Sequence, residues 1–161
     1  MSHQLHHTEE RILFTSEELT RMEKRIRELL QLKKETKERV KIAREMGDLS
    51  ENGAYKYGKF ELGNINRELR RLNYLVEHAE LIHQKDHYDS IELGATFTLE
   101  SDGAPITFTL VNEHESDPAK KKLSDKSPLG QAALGKRIGE TVTLTTPRGT
   151  TQYVVTSIGA A

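Results

Sequence analysis

Cysteine and tryptophan are absent from this chain of 161 residues, and proline occurs only at Pro105, Pro118, Pro128 and Pro147. Without cysteine there are no disulfides and no thiolate chemistry, and the redox compartment is left open. Apolar runs are short, far below the roughly 20 residues that a helix needs to cross a bilayer. The stretch Met1–Glu10 has neither the basic start nor the apolar core of a signal peptide. These absences lead to the expectation of a cytoplasmic protein with no membrane partner. The first 104 residues contain no helix-breaking proline at all, which leaves room for long helices.

That proline-free part carries two apolar ladders. Positions 19, 22, 26, 29, 33, 36, 40, 43 and 47 step by alternating threes and fours, and so do 51, 55, 58, 62, 65, 69, 72, 76 and 79. Folded about Leu49, the two sets pair so that each sum is 98: Leu19 with Ala79, Met22 with Val76, Ile26 with Leu72 and Leu29 with Leu69. Lys33 with Ile65, Thr36 with Leu62, Val40 with Gly58 and Ala43 with Tyr55 continue the set. This is the seam of an antiparallel coiled coil. An arm of this length projects roughly 40 Å at about 1.5 Å per residue.

The ends of the arm are marked as well. Thr15-Ser16-Glu17-Glu18 has the form of a capping box, and Gly47 suits a helix C-terminus. The seam weakens toward the tip, where Lys33 and Thr36 interrupt it and Gly53, Gly58 and Gly63 each cost about 1 kcal/mol relative to alanine. Because the ladder satisfies itself internally, little apolar surface remains for another helix, and a monomer is expected.

The formal net charge of −1 hides an asymmetry. Residues 21–45 hold ten lysines or arginines against five acids. A solvated face with pairs such as Glu35–Arg39 explains this, and so does a track for the phosphates of a polyanion such as RNA. This stretch shows no aromatic interleaving for base stacking, so any such contact is expected to ignore sequence.

Past residue 83 the pattern changes. Residues 84–91 read as a polar linker, and alternating β-branched segments follow at 95–100, 105–111, 141–145 and 151–156. A short helix is expected over Leu129–Leu134, with Phe97, Phe108 and Tyr153 facing a small core. Lys120-Lys121-Lys122 reads as a solvated loop, and His3, His6 and His7 as a polar tail. The fold class is therefore α+β. The expected domains are an antiparallel coiled-coil arm over 1–83 with an acidic tip at 47–52, then a linker over 84–91 and a small α+β module over 92–161.

Asp48 and Glu51 at the tip admit two readings. Asp48 as N-cap and Glu51 three residues on would cap the second helix. Alternatively the two carboxylates ligate a divalent cation. Mg²⁺ parts with its waters reluctantly, so two side chains on an exposed turn hold it only weakly. Inserted into a cleft that already offers carboxylates and phosphate oxygens, the pair could complete a second-metal site and activate water for phosphodiester hydrolysis.

Ala43-Arg-Glu-Met-Gly-Asp-Leu-Ser-Glu-Asn52, followed by Tyr55, resembles the tip signature of the bacterial transcript cleavage factors GreA and GreB. Ser127-Pro-Leu-Gly130, Ala133-Leu-Gly-Lys136, Gly139, Val142, Pro147, Gly149 and Tyr153 resemble their C-terminal domain, and Glu115-Ser-Asp117 stands where the family usually has Glu-Ala-Asp. The likeness runs from Thr15 to Ile158. It implies an FKBP-like C-terminal domain that docks on bacterial RNA polymerase, and a coiled coil that enters the secondary channel. There the polymerase's own active site would cut backtracked RNA. By this resemblance Asp48 and Glu51 are the tip acids that support the second Mg²⁺ of the polymerase, and the factor has no cofactor of its own and is not itself an enzyme. The RNA 3′ end would meet the basic face of the first helix, and DNA would be met only indirectly within the elongation complex.

The chain departs from the family at Gly53-Ala54, where one tip acid is lost, and at Phe60, a position that is commonly charged. Tyr55-Lys-Tyr57 with Lys59 leans toward GreB, whereas Leu49 and Ser127–Gly130 lean toward GreA. The alternative function is a regulator that occupies the channel and inhibits without stimulating cleavage. Prolyl isomerase activity does not follow from an FKBP-like fold, and the aromatics are too few for a proline pocket.

Overall fold

The structure, a computed structural model, describes residues 11–47 and 52–160. It is α+β, as the sequence implies. The elements are β1 (Ile12–Phe14), α1 (Ser16–Glu45), α2 (Gly53–Glu77), β2 (Ala79–Leu81), β3 (Ala95–Ser101), β4 (Ala104–Val111), β5 (Lys122–Ser124), α3 (Pro128–Ala133), β6 (Thr141–Thr146) and β7 (Gly149–Ala160). Two compact units emerge: one holds Arg11 and residues 17–79, the other residues 12–16 and 80–160.

The first unit is the helical hairpin. All ladder positions from 19 to 43 and from 55 to 79 are buried or half-buried. On α1 the deepest of them, Met22, Leu29, Thr36 and Ala43, recur every seven residues, the spacing of a coiled-coil seam. A Cβ added at Gly58 would lie 2.5 Å from Val40 Cγ2, which is direct contact between two residues paired in the register that sums to 98. Gly58 is thus a packing requirement more than a weak point. Thr36 also fits the seam: it is fully buried, and its hydroxyl accepts a hydrogen bond from Arg39 Nη2 at 2.8 Å. Arg39 continues across to Glu61 at 2.9 Å, and Arg25 reaches Glu68 at 2.9 Å. The expected Glu35–Arg39 pair is therefore replaced, since Glu35 accepts from Gln31 instead. A cross-helix partner ties the two strands of the arm, which a pair within one helix cannot do.

The second unit is a five-stranded mixed sheet in the order β5-β4-β3-β7-β6, in which only β4 and β5 run parallel. All four expected strands and the short helix are present. β1, β2 and β5 went unread because three residues are too few for an alternation to show. β3 and β4 form a hairpin closed by Asp102 and Gly103 at positive φ, with Thr96–Thr109 and Thr98–Thr107 hydroxyl pairs on one face and Phe97 opposite Phe108 on the other. Phe97 is buried, and Phe108 and Tyr153 pack against the same core, with Ile91, Leu99, Leu110, Val142 and Val155. The stretch expected as a polar linker is anchored at its end, for Tyr88 and Ile91 are buried. Lys85 lies over the Tyr88 ring and pairs with Glu92.

The Ser127-Pro-Leu-Gly130 signature has a local cause. Ser127 caps α3 by accepting from the Gly130 N–H at 3.0 Å while its hydroxyl donates to the Ser124 carbonyl at 2.7 Å. A Cβ at Gly130 would sit 1.9 Å from the Ser124 oxygen, so this position admits only glycine.

The glycines of α2 are expected to behave oppositely. Nothing lies within 4 Å of a Cβ at Gly63, so Gly63→Ala should stabilise the protein by about 1 kcal/mol through helix propensity alone. Gly58→Ala should instead destabilise by about 1–3 kcal/mol through overpacking against the stiff valine. Adding Val40→Ala should recover part of that loss. Chemical denaturation of the three variants measures all of these changes.

Candidate functional site

Helix α1 ends at Glu45 and α2 begins at Gly53, so the tip of the arm lies between them. Asp48 and Glu51, with the rest of 48–51, lie outside the described residues, as do His3, His6 and His7. What frames the tip is described. Gly47 sits at φ 120°, a conformation suited to glycine beyond a helix end. The amide of Met46 donates to the Ala43 carbonyl at 3.3 Å.

Asn52 is the residue on which this end turns. Its backbone is extended, and its side-chain oxygen accepts from the Tyr55 N–H at 3.1 Å, which makes it the N-cap of α2. Its amide nitrogen donates to the Ala43 carbonyl at 2.6 Å, in the last turns of α1. One side chain thus satisfies an unpaired donor at the start of one helix and reinforces an acceptor near the end of the other. Reading the sequence had offered the cap to Asp48. Asn52 takes it because the helix starts later than the Asp-x-x-Glu spacing suggested, and asparagine caps as well as aspartate.

The surface around this end is mixed. Met46 (78% exposed), Ile42, Tyr57 and Phe60 leave apolar area in solvent, and Lys59 stands 5.5 Å from the centroid of the Tyr55 ring. Tyr57 and Phe60 lie on α2, whereas the basic stretch 21–45 of α1 has no aromatic, as expected. On α1, Lys34, Lys37, Lys41 and Arg44 are exposed. The charge and hydrogen bond of Glu68 raise the pKa of Arg25 above its already high ordinary value. Among the described residues no group of three or more histidines or acids could hold a metal ion.

A second surface lies on the sheet unit. Leu134 (49% exposed) and Ile138 (58%) flank Lys136 and Arg137 in the turn after α3. Ile91 braces that turn, for its N–H donates to the Lys136 carbonyl at 2.8 Å and its carbonyl accepts from Gly135 N at 2.7 Å.

Asn52→Ala should cost about 1 kcal/mol from the lost cap, with added fraying beyond Ala43. Asn52→Asp keeps the cap but loses the donor to Ala43, and it should fall between the two. Thermal unfolding with helix content read by circular dichroism distinguishes them; equal stability of all three proteins would remove the bridging role.

Residues 12–81 match the family described as "Transcription elongation factor, N-terminal", and residues 84–160 match "Transcription elongation factor, GreA/GreB, C-term". The chain is 33% identical over 151 residues to the transcription elongation factor GreA of Caldanaerobacter subterraneus, covering 91% of this chain and 96% of that protein. It is 39% identical over 120 residues to GreA of Geobacillus kaustophilus, covering 73% and 76%. Among solved structures, the GreA factor homolog 1 of Thermus thermophilus is 23% identical, with a TM-score of 0.44 over 93% of this chain and 99% of that one. A GreA/GreB factor from Nitrosomonas europaea gives 16% identity and a TM-score of 0.41, over 92% and 98%. Both halves of the chain are matched in order, and the chain belongs to the GreA/GreB family of transcription elongation factors.

Proposed function

We propose that this protein binds bacterial RNA polymerase, extends its helical arm into the secondary channel, and stimulates the polymerase's intrinsic cleavage of backtracked RNA. The factor is not the nuclease; it completes one. One observation carries the reading beyond family membership: Asn52 caps α2. With that cap filled, capping of α2 does not call for Asp48, which supports a ligand role for the acid pair. That role is to supply oxygen ligands to a Mg²⁺ ion held mainly by the polymerase and its RNA. The donor set fits such sharing, since two side-chain carboxylates are too few to hold Mg²⁺ on their own. When bound, the ion activates the attacking water. The exposed lysines of α1 would guide the RNA 3′ end by charge.

Docking is assigned to the sheet unit. The exposed Leu134 and Ile138 beside Lys136 and Arg137 have the mixed apolar and cationic character that anchors an interface. Replacing both apolar residues with alanine should raise the factor concentration needed for half-maximal cleavage by about tenfold, a hot-spot-sized loss, with the maximal rate unchanged.

The chemistry is tested by Asp48→Asn and Glu51→Gln. Both keep shape and hydrogen bonding, so stability and polymerase binding should stay near wild type. Cleavage in stalled complexes should fall by about 10²-fold or more, as loss of a water-activating metal implies, and added Mg²⁺ should restore part of it. Wild-type cleavage rates in both variants would end the metal role. A wild-type protein that competes for polymerase yet never stimulates cleavage would favour an inhibitory regulator of the channel.

A further inference from the structure

The two edges of the five-stranded sheet are unlike. One edge is β5, three residues long and begun by Lys122, which was expected in a solvated loop and follows Lys120 and Lys121. A short edge rich in lysine is protected against pairing with another chain. The other edge is β6, Thr141-Val-Thr-Leu-Thr-Thr146, which contains no charge, proline or glycine. It pairs with β7 along its whole length without a register shift, so no bulge turns its edge aside. Thr146 and Gly149 close the two-residue turn at Pro147-Arg148 and therefore exchange hydrogen bonds. Alternation then commits the backbone groups of Val142, Leu144 and Thr146 to β7. The Glu140 carbonyl, which accepts from Val155 N at 3.0 Å, falls in the same phase. The N–H and C=O groups of Thr141, Thr143 and Thr145 thus point out from the edge, and all three residues are exposed.

We propose that β6 is an interface for a second copy of this chain, paired antiparallel about a two-fold axis at Thr143. In this register Thr143 faces Thr143 of the second copy, Thr141 faces Thr145, and Val142 faces Leu144. Every outward backbone group then finds a partner, and side chains meet their like on both faces. Hydroxyl pairs of this kind already occur within the sheet, at Thr96–Thr109 (3.0 Å) and Thr98–Thr107 (2.9 Å). A slip of one residue would oppose side chains from different faces. A slip of two would set Pro147, which has no N–H, against Thr141, or the charge of Glu140 against Leu144. Charge selects the same partner. Glu140 lies diagonal to Arg148 of the second copy, within reach of two long side chains, and both residues are exposed. Symmetry makes that ion pair twice, which a strand of another protein would have to match at both ends. Because the β5 edges are protected, pairing stops at two copies. The expectation of a monomer came from the self-satisfied ladder of the arm, and this edge lies elsewhere.

Cysteine is absent from the chain, so single cysteines report the register. Under mild oxidation Thr143→Cys should form a disulfide-linked dimer, since directly opposed Cα atoms stand about 5.5 Å apart. Thr141→Cys and Thr145→Cys should each stay unlinked alone, because the two copies of either residue are more than about 13 Å apart. Mixed together, these two variants should link to each other. Thr143→Lys sets two like charges face to face on an exposed surface. Its fold, checked by circular dichroism, should persist, while the dimer dissociation constant from analytical ultracentrifugation rises by about tenfold or more. Thr143→Val has the same shape and no charge, and it should dimerise like wild type. A wild-type protein that sediments as a monomer at every concentration would overturn the proposal and leave the edge to a strand of another protein. A dimer unaffected by Thr143→Lys would overturn the choice of β6. Self-linking of Thr141→Cys as readily as of Thr143→Cys would overturn the two-fold at Thr143, and species larger than two copies would overturn the closed pairing.

Discussion

Close approach of the two helices at Val40 and Gly58 is the constraint on which the arm depends. A valine methyl lies where a side chain of α2 would otherwise be, and valine has almost no rotameric freedom on a helix with which to yield. Sliding the helices by one turn would bring a side chain to that place. The register of the whole seam, from Met22 and Val76 at the base to Ala43 and Tyr55 near the tip, follows from this packing. Asn52 then closes the far end by serving both helices with one amide. The position of the tip acids in the chain, just before that cap, is a consequence of where the seam must stop.

Polar groups inside the protein reinforce this specificity. Thr36 occupies a core position only because Arg39 satisfies its hydroxyl, and Arg39 in turn crosses to Glu61. A leucine at 36 would pack at least as well, but it would take away one of the two acceptors that hold Arg39. Glu115 shows the same logic in the sheet unit, where its buried carboxylate selects Thr15 and Lys122 as donors. Buried polar contacts contribute little net stability but discriminate strongly between arrangements.

The proposed function would divide the labour between the two units. Affinity would reside in the exposed apolar and cationic patch of the sheet unit. The chemistry would reside in Asp48 and Glu51, two carboxylates too few to hold Mg²⁺ on their own.

Periodicity alone revealed the two long helices, their antiparallel pairing and its register, because a self-complementary seam needs only its own sequence to define it. The four longer strands and the short helix, expected over Leu129–Leu134 and found at Pro128–Ala133, were legible for the same reason: such patterns are local. The three short strands were not legible, because each is stabilised by its partner strand and not by its own pattern. The roles of Asn52, Glu115 and Lys122 could not be read either. Asp48 was the expected cap until the start of α2 showed that Asn52 fills that place, and Lys122 read as part of a solvated loop although it pairs with the buried Glu115. A residue's own neighbours determine whether it enters a helix or a strand; which buried groups must find each other across a hundred residues is decided only when the chain closes around them and water is excluded.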